Sequence, residues 1–352
     1  MNNNYFFALG LMSGTSLDGV DIVYVKFKRN DYSFFEILQA ETIPYSIEWK
    51  QQLQNAIHFS SDELKKLDIS YGKYLASLIN NFVFNYKIEE LAFVASHGHT
   101  ILHEPDKGIT LQIGYGNEIA KLTKQKVVCD FRTQDVKLGG QGAPLVPIGD
   151  ELLFSNINYC LNLGGFSNVS YHNKVSRIAF DICPVNIVLN LYANKLGLEY
   201  DASGEIASKG TINKVLLEKL NQLEFYQKNP PKSLGLEWVQ QQILPLIDSL
   251  EKDVSNVLRT FVEHVAMQIS SVLEDSKSVL ITGGGVFNVF LIDRIKCYTN
   301  VKIVKASNNL INYKEALIFA FLGVLKIDNQ INCLKSVTGA SQNHSSGIVF
   351  LP

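Results

Sequence analysis

Residues 13–19 read SGTSLDG. Glycine lets a backbone approach a ligand closely, and consecutive N–H groups make an anion nest. The hydroxyls of Ser13, Thr15 and Ser16 add donors. Asp18 is the odd member, because a carboxylate repels phosphate. It suits a loop that holds phosphate through Mg²⁺, an ion that commonly takes one or two carboxylates beside substrate phosphates. LGGFSN (163–168) and TGGGVFN (282–288) are two further turns of this kind. No G-x-x-x-x-G-K-[ST] occurs, so a P-loop is excluded. Gly114 and Gly116 begin a dinucleotide-like pattern, but Ile119 stands at its third glycine position. For the first loop alone, a hairpin with a long polar tip is an equal alternative. His97, His99 and His103 have ligand-like spacing, but a loop lining a site explains them better than a metal.

These loops need elements to carry them. Apolar runs rich in β-formers predict strands over 5–10, 20–27 and 34–41. A helix is predicted over 62–84, then a strand over 91–96 that ends in HGHT. A β-α-β unit is expected over 110–129. The glycine-rich segment 138–147 reads as a crossing between domains. After it the opening pattern returns, with strands over 159–163, 169–172 and 177–180 and a polar turn after the first. A helix is expected from Pro184 to Gly197, another over 256–274, and a buried strand over 278–282. The last helix is expected over 312–326, where Asn312 and Glu315 have capping-box spacing. Two domains that each open on strand, polar turn and strand are suited to clamping one ligand.

Length and composition agree with this. A chain of 352 residues suits two domains. Its net charge of −2, with no basic run, argues against nucleic acid or anionic membrane as general partners. Five scattered cysteines without a C-x-x-C pair fit a reducing cytoplasm better than a disulfide framework. The N-terminal apolar run is too short for a signal peptide, and no stretch approaches a membrane span.

GLMSGTSLDGVD, SHGHTILHEP, DFRTQDVKLGGQGAPLVP, LNLGGFSNVS, ITGGGVFN and VTGAS occur in order from residue 9 to about 341. Together they resemble the anhydro-N-acetylmuramic acid kinase family of the actin/hexokinase/Hsp70-like superfamily. The resemblance implies a two-domain α/β fold, ribonuclease H-like in each half, with ATP and Mg²⁺ in an interdomain cleft. It implies that water opens the 1,6-anhydro bridge while O6 takes the γ-phosphoryl group, giving N-acetylmuramic acid 6-phosphate in cell-wall sugar recycling. We expect an N-terminal domain over 1–132, joined by about 330–352, and a second domain over 133–329.

Residue roles follow by the same resemblance. Gly14, Thr15, Ser16, Leu17, Asp18, Gly19, Val20 and Asp21 would hold the nucleotide, with Asp18 toward the metal. Gly164, Gly165 and Asn168 would join them, and Gly283, Gly284 and Gly285 would border adenine and ribose. His99, Thr100, Arg132 and Glu315 would face the sugar, Arg132 as a fork for the lactyl carboxylate. Asp181 would be the general base; from its position alone, before an expected helix, an N-cap is the favoured reading. Two segments depart from the family pattern. Cys183 and Val185 replace glycines in DICPVN, and PPKSLGLEW (230–238) lacks a basic side chain. A kinase for another anhydro sugar such as levoglucosan, and a silent sugar- or nucleotide-binding regulator, are the alternatives. Expected partners are ATP and a small anhydro amino sugar, and a homodimer is left open.

Overall fold

The structure is a computed structural model that describes residues 4–14 and 16–352. Thr15 lies outside the described residues. Two compact units are present, Met1–Ser155 with Tyr313–Pro352, and Asn156–Asn312.

The first unit is built on β1 (Tyr5–Ser13), β2 (Gly19–Lys28), β3 (Phe35–Pro44), β4 (Phe93–Glu104), β5 (Ile109–Ile113) and β6 (Val127–Cys129). β1, β2 and β3 run antiparallel in sequence. β4 pairs parallel with β1, and β6 parallel with β4. β5 folds back antiparallel on β4. One face packs Leu9, Leu11, Val20 and Ile22 against Tyr71, Leu75, Ile79 and Phe82 of the helix Ser61–Asn85. Each such buried side chain contributes about 1.5–3 kcal/mol. Ser60 and Glu63 close that helix with the reciprocal bonds of a capping box.

The second unit repeats the plan with β7 (Tyr159–Leu163), β8 (Phe166–His172), β9 (Arg177–Pro184), β10 (Ser278–Thr282) and β11 (Lys302–Val304). β7, β8 and β9 are antiparallel, and β10 and β11 extend the sheet in parallel from β7. The helices Asn186–Asn194 and Val254–Ser270 supply Val188, Leu189, Val262, Val265 and Ile269 to its core. In both units three antiparallel strands are followed by two parallel strands on the far side of the first. This is the ribonuclease H-like order of the actin/hexokinase class, and β12 (Ile348–Phe350) adds an antiparallel edge to β6. Among the described residues, no helix is long and apolar enough to cross a membrane.

The division differs from the expected one. The first unit runs to Ser155, not 132, and takes up the chain again at Tyr313, not 330. Packing explains both ends. The helix Val146–Leu153 places Gly149 where an added Cβ would lie 2.8 Å from Ile318, and Asp150 on it pairs with Lys314 at 2.7 Å. Gly10 of β1 leaves room for Ala316, whose carbonyl oxygen would sit 2.1 Å from an added Cβ. Segment 138–147 is therefore no crossing. The backbone N–H groups of Gln141 and Gly142 within it donate to Thr338 O at 2.8 Å and Asp135 Oδ2 at 2.7 Å.

Candidate functional site

Leu17 takes a left-handed φ of 59°, and its N–H donates to Gly14 O at 3.3 Å. Ser16 and Asp18 are exposed, whereas Val20 is a core side chain with only its backbone to offer a ligand. Asp21, half-buried at the start of β2, accepts from Thr42 Oγ1 at 2.7 Å. Burial raises its pKa, the Thr42 bond opposes this, and the charge of Asp18 adds to the rise. Two carboxylates that feel each other beside exposed donors are what a divalent cation relieves. The residues present therefore fit Mg²⁺, with Asp18 and Asp21 to hold it.

HGHT does not follow a strand but lies inside β4, which carries both histidines into the unit. His97 and His99 are each 4% exposed. His97 donates from Nδ1 to Gly98 O at 2.9 Å and accepts at Nε2 from Arg132 Nε at 3.0 Å. Burial and the adjacent guanidinium hold it neutral, well below the usual histidine range. Arg132 also donates from Nη1 to Gly142 O at 2.7 Å. Burial pulls it down to about 10, so it stays charged at neutral pH. His99 bonds Ser13 Oγ through Nδ1 at 2.8 Å, and His103 pairs separately with Thr110 at 3.1 Å. The three histidines thus have three different partners. Thr100 accepts from Gln112 Nε2 at 3.3 Å.

Glu315 is no capping residue. Its helix, Asn308–Ile327, begins four residues before Asn312 and bends at Tyr313, whose φ is −117°. The side chain of Glu315 reaches solvent, but crowding by surrounding protein raises its pKa, with the Arg132 charge opposing. Asp135 fastens the loop behind Arg132. Its carboxylate accepts from Cys333 Sγ at 3.0 Å, Thr338 Oγ1 at 2.8 Å and the Gly142 N–H. Asp135, Cys333 and His344 lie together and buried, and because this carboxylate already accepts three protein hydrogen bonds we read it as a knot.

In the second unit, Asp181 lies within β9 rather than at a strand end, and the next helix begins at Asn186 with Val185 as its cap. The N-cap reading and the helix-terminus argument therefore fail. Backbone holds Asp181 instead: its N–H donates to Lys232 O at 3.0 Å, and its Oδ2 accepts from Leu234 N–H at 2.8 Å. Burial raises the carboxyl pKa and the Leu234 bond lowers it in part. The strand registers align Thr282, Asn162, Asn168 and Asp181 across β10, β7, β8 and β9. Directly paired residues share a face, so these four make a polar row. Thr282 Oγ1 is buried and has no hydrogen-bond partner among the described residues.

The glycine turns flank this row. Gly283 has a φ of 85°, and a Cβ there would lie 2.6 Å from Asn162 Oδ1. At Gly284 a Cβ would meet nothing within 4 Å, so the protein leaves space there. The carbonyls of Gly164 and Gly165 accept from Asn186 at 3.2 Å and from Val185 at 2.8 Å, which satisfies donors at that helix start. Where the family has glycine, Cys183 and Val185 are fully buried, and neither has a positive φ. Both side chains pack into the hydrophobic core of the second unit. Leu236, which stands where a basic side chain is absent, is 47% exposed.

The sequence motifs alone do not mark Tyr45 and Tyr71, whose hydroxyls lie 2.5 Å apart with Tyr45 OH 2.5 Å from Ser13 Oγ, nor Asn162, Thr282 or the Leu234 N–H. Thr282 ends a buried strand just before a glycine turn, and Asn162 lies one residue before the end of another, a signal that was available. The tyrosines and the backbone donor are distant in sequence and carry none.

A family model described as anhydro-N-acetylmuramic acid kinase matches residues 6–352. The chain is 34% identical to the anhydro-N-acetylmuramic acid kinase of Haemophilus influenzae, covering 97% of each. It is 34% identical to that of Shewanella pealeana, covering 99% of each, and 32% identical to that of Legionella pneumophila strain Corby, covering 97% of each. Among solved structures, component A of the (R)-2-hydroxyglutaryl-CoA dehydratase from Acidaminococcus fermentans covers 90% of this chain at 14% identity, with a TM-score of 0.44.

Proposed function

This chain belongs to the anhydro-N-acetylmuramic acid kinase family, and we propose that it converts 1,6-anhydro-N-acetylmuramic acid, water and ATP to N-acetylmuramic acid 6-phosphate and ADP. The observation that carries the reading is Asp181, a half-buried carboxylate raised in pKa and aimed by a backbone donor. A base of this kind takes the proton of a water at C1. The water oxygen bonds C1 as the C1–O6 bond breaks, and O6 bonds the γ-phosphorus as ADP leaves. One carboxylate suffices, because phosphorus captures the leaving oxygen that an inverting glycosidase would protonate.

Arg132 would fork the lactyl carboxylate and Glu315 would meet sugar hydroxyls, with His99 and Thr100 beside them. Gly14, Ser16, Leu17 and Gly19 would offer donors and backbone to phosphate, with Asp21 beside them for the metal; Thr15, outside the described residues, would join them. Gly164, Gly165, Asn168 and Gly283 to Gly285 would receive the rest of the nucleotide. Bound Mg²⁺ would neutralise phosphate charge, held by Asp18 and Asp21. Such a kinase serves cell-wall sugar recycling in the cytoplasm. ADP release tests the reading. We expect turnover with 1,6-anhydro-N-acetylmuramic acid and little with levoglucosan. Equal turnover of both sugars would identify a general anhydro-sugar kinase, and no sugar-dependent ADP a silent binder.

A further inference from the structure

We propose that the buried chain Tyr71–Tyr45–Ser13 sets His99 as its Nε2–H tautomer, so that this ring offers a hydrogen-bond donor to an acceptor oxygen of the sugar. Ser13, Tyr45 and Tyr71 would thus be positioning residues. Only the identity of the ligand rests on the kinase reading.

The geometry is a row of three links. Tyr71 OH lies 2.5 Å from Tyr45 OH, Tyr45 OH 2.5 Å from Ser13 Oγ, and Ser13 Oγ 2.8 Å from His99 Nδ1. Exposure is 0% at Tyr71, 5% at Tyr45, 3% at Ser13 and 4% at His99, so the set is shielded from bulk solvent. Each link needs one proton, and the three hydroxyls bring three. If Tyr71 donates to Tyr45, Tyr45 to Ser13 and Ser13 to Nδ1, every proton is used. A proton on Nδ1 would make four for three links. One donor would then lack an acceptor within these three links, a cost that disfavours that tautomer by about tenfold or more. Donors aligned head to tail also strengthen one another.

Burial holds His99 at about 4, so the ring is neutral near pH 7 and its tautomer matters. With Nδ1 accepting, Nε2 carries the proton. Among the described residues Nε2 has no hydrogen-bond partner, so its N–H is left for a ligand. Ser13 ends β1 immediately before Gly14, and the same hydroxyl therefore ties the phosphate-type turn to the histidine.

The test is long-range ¹H–¹⁵N correlation on ¹⁵N-histidine-labelled full-length protein, with the His99 signals assigned by their loss in His99→Asn. We expect Nε2 protonated and Nδ1 bare in the wild type. Ser13→Ala should give a mixed tautomer and raise the KM for 1,6-anhydro-N-acetylmuramic acid by about three- to tenfold, and Ser13→Thr should restore both. Protonated Nδ1 in the wild type would overturn the proposal, whatever the variants do. So would Ser13→Ala with the ring still purely Nε2–H and the sugar KM unchanged. The spectrum needs no turnover: absent kinase activity beside the expected tautomer would count against the substrate reading alone.

Discussion

Asp181 is held by two backbone contacts from a segment more than fifty residues away, and the chemistry assigned to it is sharply testable. O6 of the anhydro sugar is an ether oxygen with no proton to lose, so it becomes a phosphate ester only as its bond to C1 breaks. Asp181→Asn keeps the shape but cannot take the proton from water. Ring opening and phosphoryl transfer should fall together by more than about a hundredfold, while ATP binding measured by calorimetry persists. The pH profile should agree. A base works deprotonated, and burial raises the Asp181 pKa. The acid limb of kcat/KM should therefore lie above the range of an unperturbed aspartate, with activity falling as pH drops through it. Arg132 has a different signature. Its charge-assisted bond to a carboxylate is worth roughly 1.5–3 kcal/mol, or about ten- to a hundredfold. Competition assays with Arg132→Ala should show that loss on the muramic sugar and a much smaller one on levoglucosan. Equal losses would make Arg132 a support for His97 and Gly142 only.

At the scale of elements, the β1–β2 turn and the helices of the second unit separate function from stability. Asp18 is exposed on the turn, so Asp18→Asn should fold normally and lose most turnover, with a weakened Mg²⁺ dependence in the ADP assay. Glu263 is the contrasting case. Its side chain is 2% exposed on the helix Val254–Ser270 and binds Arg294, at 2.6 and 2.8 Å, with Arg259 and Tyr298 also donating to it. Burial pushes its carboxyl up, but these donors together bring it down to about 2. A depressed carboxyl stabilises the fold above its unfolded pKa, and that gain fades as pH falls from about 4.5 toward 2. Glu263→Gln should cost about 3 kcal/mol at pH 7 by urea unfolding, and clearly less at pH 3. Strand-turn-strand units were legible here because alternating apolar residues and glycine turns are local signals. The reach of β4 through HGHT and of β9 through Asp181 was not, since polar residues inside a strand resemble its end. The early start of the last helix escaped for a similar reason: Asn308 and Asn309 are poor helix formers, and packing of its later turns decides the matter.

For the molecule as a whole, the doubled strand order was readable because the same pattern occurs twice in one chain. The division into units was not. The run LGGQG at 138–142 has the composition of a linker. Only the bonds of Gly142 to Asp135 and of Gln141 to Thr338, the latter nearly two hundred residues away in sequence, reveal it as part of the first unit. The replacements of glycine at Cys183 and Val185 depart from the family pattern, and their burial in the core of the second unit is visible only in the structure. Family membership covers the chain from residue 6 to 352; the coupled reaction is what now needs measurement. The most direct one is product analysis after turnover of ATP and 1,6-anhydro-N-acetylmuramic acid in ¹⁸O-water. One ADP should form per sugar, with ¹⁸O at C1 and none in the new phosphate ester. Label at C1 without ADP, or ADP with label in free phosphate and intact anhydro sugar, would contradict the account.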